Sequence, residues 1–305
     1  MPSASSSLPE ATPARTGFDI GGLRLERVVE SEMPLLDPAE IYPDSTPAII
    51  EANLDWLAPR FYDPALRRLV IAVQGFVVRS QGRTLVVDTC VGDCRARRRP
   101  EFDRQRWHWL DRLARAGVQP EDVDTVICTH FHVDHVGWNT RLEDGRWVPA
   151  FPHARYLFAR EEWAFWTSDA ARSARERSGD YLADSLLPIA EAGRADFVAM
   201  DHRINGEVSL APLPGHTPGM VGVALRSGGE QAVLASDLLH SPLQCRYPEW
   251  STRFCIDPDL SRRTRMDFLA RHAGSGVMVI PTHFPSPSAG TVERDGETYR
   301  FRTCE

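Results

Sequence analysis

Seven consecutive residues, Thr129-His130-Phe131-His132-Val133-Asp134-His135, constrain this chain more than any other feature. They place three imidazoles and a carboxylate directly behind a strand-like stretch at residues 123–128. The whole chain has only 10 histidines in 305 residues, so this density marks a ligand cluster rather than a merely polar loop. Imidazole nitrogens and carboxylate oxygens are the ligands of zinc and similar borderline cations. A loop leaving a strand can aim His130 and His132 at one point while Asp134 and His135 face a second point nearby.

Three further candidates lie downstream. His216 sits in the glycine- and proline-punctuated turn Gly215-His216-Thr217-Pro218-Gly219, between two apolar runs. Asp237 follows the strand-like run 231–235, and His283 follows the run 276–280. Each candidate ends a strand, where loops gather on one sheet edge and carry chemistry.

This constellation resembles the metallo-β-lactamase superfamily, whose pattern is HxHxDH followed by His, Asp and His. The resemblance covers the chain from about residue 20 onward and implies a binuclear site. In it His130, His132 and His216 hold one metal, Asp134, His135 and His283 hold the second, and Asp237 bridges them. Two dications roughly 3.5–4 Å apart repel, so a shared carboxylate and a shared hydroxide, the implied nucleophile, help to hold them. The aspartate at the bridging place contrasts with the cysteine that lactam-cleaving zinc members often carry. Oxygen is harder than thiolate, so zinc is the first choice of metal, with manganese, iron and cobalt also compatible. Asp134 counts both as a ligand and as a candidate catalytic carboxylate. Asp88, after the second strand of a hairpin, is a candidate acceptor for the second ring nitrogen of a ligating histidine.

The order of elements agrees with an α/β chain. Alternation at residues 22–29 predicts a half-buried strand. The proline-dense stretch 33–64 predicts an irregular insertion with a helical turn around 48–57. Runs 68–78 and 84–87 form a predicted hairpin. Helices are expected at 104–116, 160–166, 181–192 and 261–272, and strands at 123–128, 154–158, 197–200, 208–211, 221–225, 232–235 and 277–280. Two groups of strands with interleaved helices fit a four-layer αββα sandwich of mixed sheets, the metallo-β-lactamase fold. The Ser-, Pro- and Ala-rich start lacks a basic end and an apolar core, so residues 1–20 are expected to be a disordered arm before a single domain at 21–305.

Composition narrows the partners. A net charge of −7 argues against nucleic acid, which needs a basic face. The one basic cluster, Cys94-Arg95-Ala96-Arg97-Arg98-Arg99, is expected to be a solvated loop or helix start, ahead of an anion-binding patch. No run of 18 apolar residues predicts a membrane span. Six cysteines without zinc-finger or disulfide-framework spacing, Cys90 and Cys94 among them, suit a reducing cytoplasm. The expected partner is therefore a small-molecule substrate, and a homodimer is compatible with the composition.

His240 stands three residues after Asp237. Superfamily members that open acyl-homoserine lactones often have a tyrosine there, whereas a histidine is similar to the methyl-parathion hydrolase branch. His240 is thus a candidate general acid or transition-state donor. The aromatic-rich stretches 138–166 and 247–254 are candidate pocket walls, suggesting an acyl or aromatic substrate. The leading reading is a metal-dependent hydrolase of a carboxylic ester or lactone. Phosphotriester, sulfate-ester or thioester hydrolysis is the alternative, ahead of a redox or nuclease member of the superfamily.

Overall fold

A computed structural model describes residues 16–179 and 181–304. Two mixed sheets carry the fold. The first has eight strands, with Gly17–Ile20, Leu23–Leu36, Arg68–Ser80, Arg83–Val87, Thr125–Ile127, Arg155–Ala159 and Ala195–Val198 in that spatial order and Tyr62–Asp63 paired to Arg68–Ser80. The second has six, from Val208–Pro212 through Val221–Ser227, Glu230–Ser236, Met278–Pro281 and Gly290–Asp295 to Thr298–Thr303. Pairing is parallel from Arg83–Val87 to Ala195–Val198 and between Glu230–Ser236 and Met278–Pro281, and antiparallel elsewhere.

The alternation of side chains explains the layers. Phe76, Val78, Leu85, Val87 and Ile127 face a core shared with Val208, Leu210, Val223, Leu225 and Leu234 of the other sheet. Their neighbours Val77, Val86 and Val126 point to the opposite face, into a cluster with Trp109 and Leu113 of helix Trp109–Arg115. Val233 and Val279 likewise belong with Phe268 and Leu269 of helix Pro258–His272. Period-two strands thus bury one face against the other sheet and one against helices. This is the αββα sandwich expected. Because both faces of Thr125–Ile127 are covered, all three of its residues are buried.

Several local expectations are corrected. The arm was expected to reach residue 20; residues 1–15 lie outside the described part, but Gly17–Ile20 pairs with Leu23–Leu36 as the sheet's first strand. That second strand runs to Leu36, well beyond residue 29, because it follows Arg68–Ser80 through two register shifts. The insertion after it holds three short helices, Pro38–Ile41, Pro47–Glu51 and Leu54–Leu57. The helix expected from 104 begins at Trp109, since Asp93 accepts the Trp107 and His108 N–H groups and His108 is left-handed at φ 55°. Residues 181–192 split into Tyr181–Ser185 and Leu187–Glu191, the break lying just ahead of Pro188. The basic run is not solvated throughout: Arg95 and Arg97 are buried and pair with Asp184 at 2.8 and 2.6 Å. Arg95 also lies over the Trp147 ring. Hairpins Thr140–Glu143/Arg146–Pro149 and Gly290–Asp295/Thr298–Thr303 went unread, although Asp144-Gly145 and Asp295-Gly296 are turn signatures.

One glycine ties the fold to the site. A Cβ on Gly75 would lie 2.4 Å from the Asp88 carbonyl oxygen and 2.8 Å from the Trp109 ring. Gly75→Ala is expected to destabilise the protein by about 1–3 kcal/mol through overpacking, read as a lower urea midpoint with unchanged slope.

Candidate metal centre

The strand ends deliver all seven sequence-predicted ligands to one edge between the sheets. The first sheet contributes the loop after Thr125–Ile127, with His130, His132, Asp134 and His135. The second contributes His216 ahead of Val221–Ser227, Asp237 after Glu230–Ser236, and His283 after Met278–Pro281. His130, His132, His216 and Asp237 form one set whose ligand atoms all lie within 4.8 Å of one another, and Asp134, His135 and His283 form another.

Asp237 is the hub. Its Oδ2 lies 3.1 Å from His283 Nε2, 3.2 Å from His216 Nε2 and 3.6 Å from His130 Nε2, and its Oδ1 lies 3.2 Å from His135 Nε2. Asp134 stands further out, 3.8 Å from His135 Nε2 and 3.7 Å from His283 Nε2. His132 Nδ1 and His216 Nε2 approach to 2.8 Å. His130 Nε2, His135 Nε2 and Asp237 Oδ1 are buried without a hydrogen-bond partner. Nitrogen lone pairs converging on one point, beside orphaned buried atoms, are what a cation satisfies. The donor set is nitrogen and oxygen throughout, which fits zinc and the neighbouring borderline metals. The arrangement is a site for two divalent ions.

The other ring nitrogens are held from behind. Asp88 accepts from Thr129 N at 2.8 Å, from Thr129 Oγ1 at 2.8 Å and from His135 Nδ1 at 2.9 Å, the role its position suggested. His283 Nδ1 meets the Ala72 carbonyl at 2.9 Å, while the Ala72 N–H donates to the His283 carbonyl at 3.0 Å. His130 Nδ1 faces the hydroxyls of Thr129 and Ser236 at 3.2 and 3.4 Å. His216 Nδ1 faces Cys255 Sγ at 3.5 Å. Asp88 and Ser236 both adopt left-handed backbone, at φ 57° and 49°, a costly conformation that recurs at functional sites. Ala72 and Cys255 were missed from sequence; a backbone carbonyl has no signature, and Cys255 follows no ligand spacing.

Electrostatics follow from this packing. Burial and neighbouring imidazoles push His130 and His132 well down, so they are neutral ligands in waiting. Burial opposes charge on His216 as well, but Asp237 and Cys255 outweigh it and hold the imidazole up at about 9. Burial also resists a charge on His135, which Asp237 and Asp88 override, raising it well above its ordinary value. His240 lies beside this set, with Nε2 3.2 Å from Asp237 Oδ2 and its ring stacked 5.1 Å from that of His283. Burial lowers His240 to about 4, and its Nδ1 is buried without a partner.

A cleft of about 270 Å³ opens onto the ligands. Leu35, Leu36, Ile71, Phe102, Val133 and Phe254 make it apolar, with Arg99, Arg177 and Arg253 also lining it. Of the aromatic residues in the stretches expected as walls, only Phe254 lines it. Phe151, Tyr156, Phe158, Trp166 and Trp250 are core residues. Cys90 is buried in the core, and Cys94 is exposed.

The metallo-beta-lactamase superfamily model matches residues 70–283, spanning every proposed ligand. The chain belongs to that superfamily. N-acyl homoserine lactonase AiiB of Agrobacterium fabrum is 26% identical over 211 residues, covering 63% of this chain and 71% of that protein. An N-acyl homoserine lactonase of Bacillus sp. is 30% identical over 107 residues, covering 35% of this chain and 34% of its own length. Among solved structures, the dizinc quorum-quenching lactonase AidC, in complex with a product, superposes with a TM-score of 0.79 at 19% identity, covering 95% of this chain and 97% of its own. The hydrolase AbOPH has the same TM-score at 23% identity, covering 97% and 99%. At these identities the structural likeness concerns the fold.

Elemental analysis of the purified protein is expected to give two divalent ions per chain, and Asp237→Ala should lose at least one. A value of one or fewer in fully loaded wild-type protein would contradict the two-ion site. Cation binding must also displace the proton on His216, so zinc affinity should rise with pH toward about 9 and weaken between pH 8 and pH 6. Competition with a chelator of known pH dependence reads this directly.

Proposed function

We propose that the chain is a binuclear metallo-hydrolase of lactonase type that cleaves a carboxylic ester or lactone with an apolar acyl or aromatic part. The observation that carries this reading is the union of a two-ion ligand set with an apolar cleft ending on it. The lactonase relatives support it from the sequence side. Two divalent ions, held by His130, His132, His216, Asp134, His135, His283 and Asp237, would supply Lewis acidity and a water acidified to a pKa of about 7.

The chain's own residues do the rest. His130, His132 and His216 form one half of the cradle, and Asp134, His135 and His283 the other, with Asp237 shared. The cleft's aliphatic wall receives the acyl part and excludes water around the carbonyl. Asp134, whose side chain is 18% exposed where it lines the cleft, accepts at its free oxygen the proton shed as water adds to the carbonyl carbon. His240 also lines the cleft. Neutral at working pH, it serves better as a hydrogen-bond donor to the developing oxyanion than as a store of a full proton. The C–O bond then breaks, and the leaving oxygen takes its proton from Asp134 or solvent.

Phosphotriester, sulfate-ester or thioester hydrolysis is a second reading, favoured by the histidine at 240 where lactone-opening members often have tyrosine. A panel of lactones, aryl and alkyl esters, thioesters and phosphotriesters, assayed on zinc-loaded protein, separates the two. The first reading requires the highest kcat/KM among the lactones or esters. The buried thiols of Cys90, Cys128 and Cys245 fit a cytoplasmic location, and no helix among the described residues is long and apolar enough to cross a membrane.

His240→Ala should lower kcat/KM by about 10²–10³-fold, to a similar extent for nitrophenyl and alkyl esters, with metal content unchanged. A loss concentrated on poor leaving groups would instead assign His240 the role of proton donor.

A further inference from the structure

We propose that Glu162 is the positioning residue of the first ligand set, the buried anion that locks the loop of His130 and His132 to the loop of His216. This rests on the ligand assignment made above. Glu162 belongs to helix Arg160–Trp166, is 1% exposed and touches no ligand side chain through a recorded hydrogen bond. Its Oε1 accepts from the Phe131 N–H at 2.9 Å, the peptide between His130 and His132. Its Oε2 accepts from the Gly219 N–H at 2.9 Å, three residues beyond His216. One carboxylate therefore bridges two loops that approach the centre from different sheets.

Two further contacts bind the helix to the same task. Oε1 also accepts from the Trp166 indole N–H at 2.6 Å, and the Trp166 ring packs edge-on against the His132 ring, with centroids 5.4 Å apart. A Cβ on Gly219 would lie 2.2 Å from the Glu162 backbone nitrogen, so the turn and the helix start meet backbone to backbone. A buried carboxylate satisfied by three N–H donors forms charge-assisted bonds, roughly twice as strong as neutral ones. Among the described residues no arginine pairs with it; these three N–H donors and the Thr217 hydroxyl work against the burial that raises the carboxyl. A carboxamide in its place keeps the shape but turns an NH₂ toward N–H donors, losing at least one bond.

The test compares wild-type protein with Glu162→Gln, measuring zinc stoichiometry and both affinities by chelator competition and the melting temperature of the metal-free proteins. The cobalt-substituted absorption spectrum reports ligand geometry independently of activity. The expected result is a folded variant in which one ion binds ~10–100-fold more weakly while the other keeps its affinity, the size of loss seen when a group that orients a metal ligand is removed. The cobalt bands should shift with it. Both ions held at wild-type affinity, or both weakened alike, would overturn the proposal. So would a variant that fails to fold in saturating zinc, because that would make Glu162 a general core anchor. Failure of the underlying two-ion reading shows separately, as fewer than two ions in the wild-type protein.

Discussion

A single carboxylate, that of Asp237, sets the terms for the rest of this structure. It is 3% exposed and has five imidazoles within 3.6 Å. A buried carboxylate so placed is stabilised only if positive charge is close, as protonated histidine or as a cation. Burial works against its charge, yet the surrounding imidazoles hold Asp237 well below the usual carboxylate range. Strand lengths, loop paths and the left-handed Ser236 just before it all serve to bring those imidazoles to one spot from both sheets.

Behind that hub lies a ring of supports that are chemically unlike one another. Asp88 holds His135, a main-chain carbonyl holds His283, hydroxyls hold His130, and a thiol holds His216. The support of His283 is reciprocal, with Ala72 both donating and accepting, while Gln74 from the same strand donates to the Thr282 carbonyl at 2.6 Å. The ligand on the second sheet is thereby gauged against the first sheet rather than against its own.

The candidate ligands could be picked out because metal chemistry accepts few residue types, and four of them fall within one short loop. His216, Asp237 and His283 could be read because each follows a run that had to be a strand. The sandwich was legible from period-two alternation, as in Phe76, Val77 and Val78. What escaped was set by partners remote in sequence. Arg95 and Arg97 look like surface charge until Asp184 is brought beside them. Residues 104–108 have helical spacing, but Asp93 captures the Trp107 and His108 N–H groups. The aromatic stretches were read as walls because composition cannot distinguish a pocket from a core; most of them pack inward, and aliphatic side chains supplied by the prolonged strand Leu23–Leu36 line the cleft instead. Glu162 carried no motif, since its partners are two main-chain N–H groups and one indole.

The division of the ligands between the sheets has a mechanical consequence. His130, His132, Asp134 and His135 hang from one layer of the sandwich and His216, Asp237 and His283 from the other. On the proposed assignment, ions held between them would be rivets as well as reagents, fastening an edge where the apolar filling gives way to polar loops. A lineage exploring new substrates could not retune these ligands without loosening the joint. It would have room to vary in the wall, at positions such as Leu35, Arg99 and Phe254, which line the cleft without belonging to the candidate ligand set.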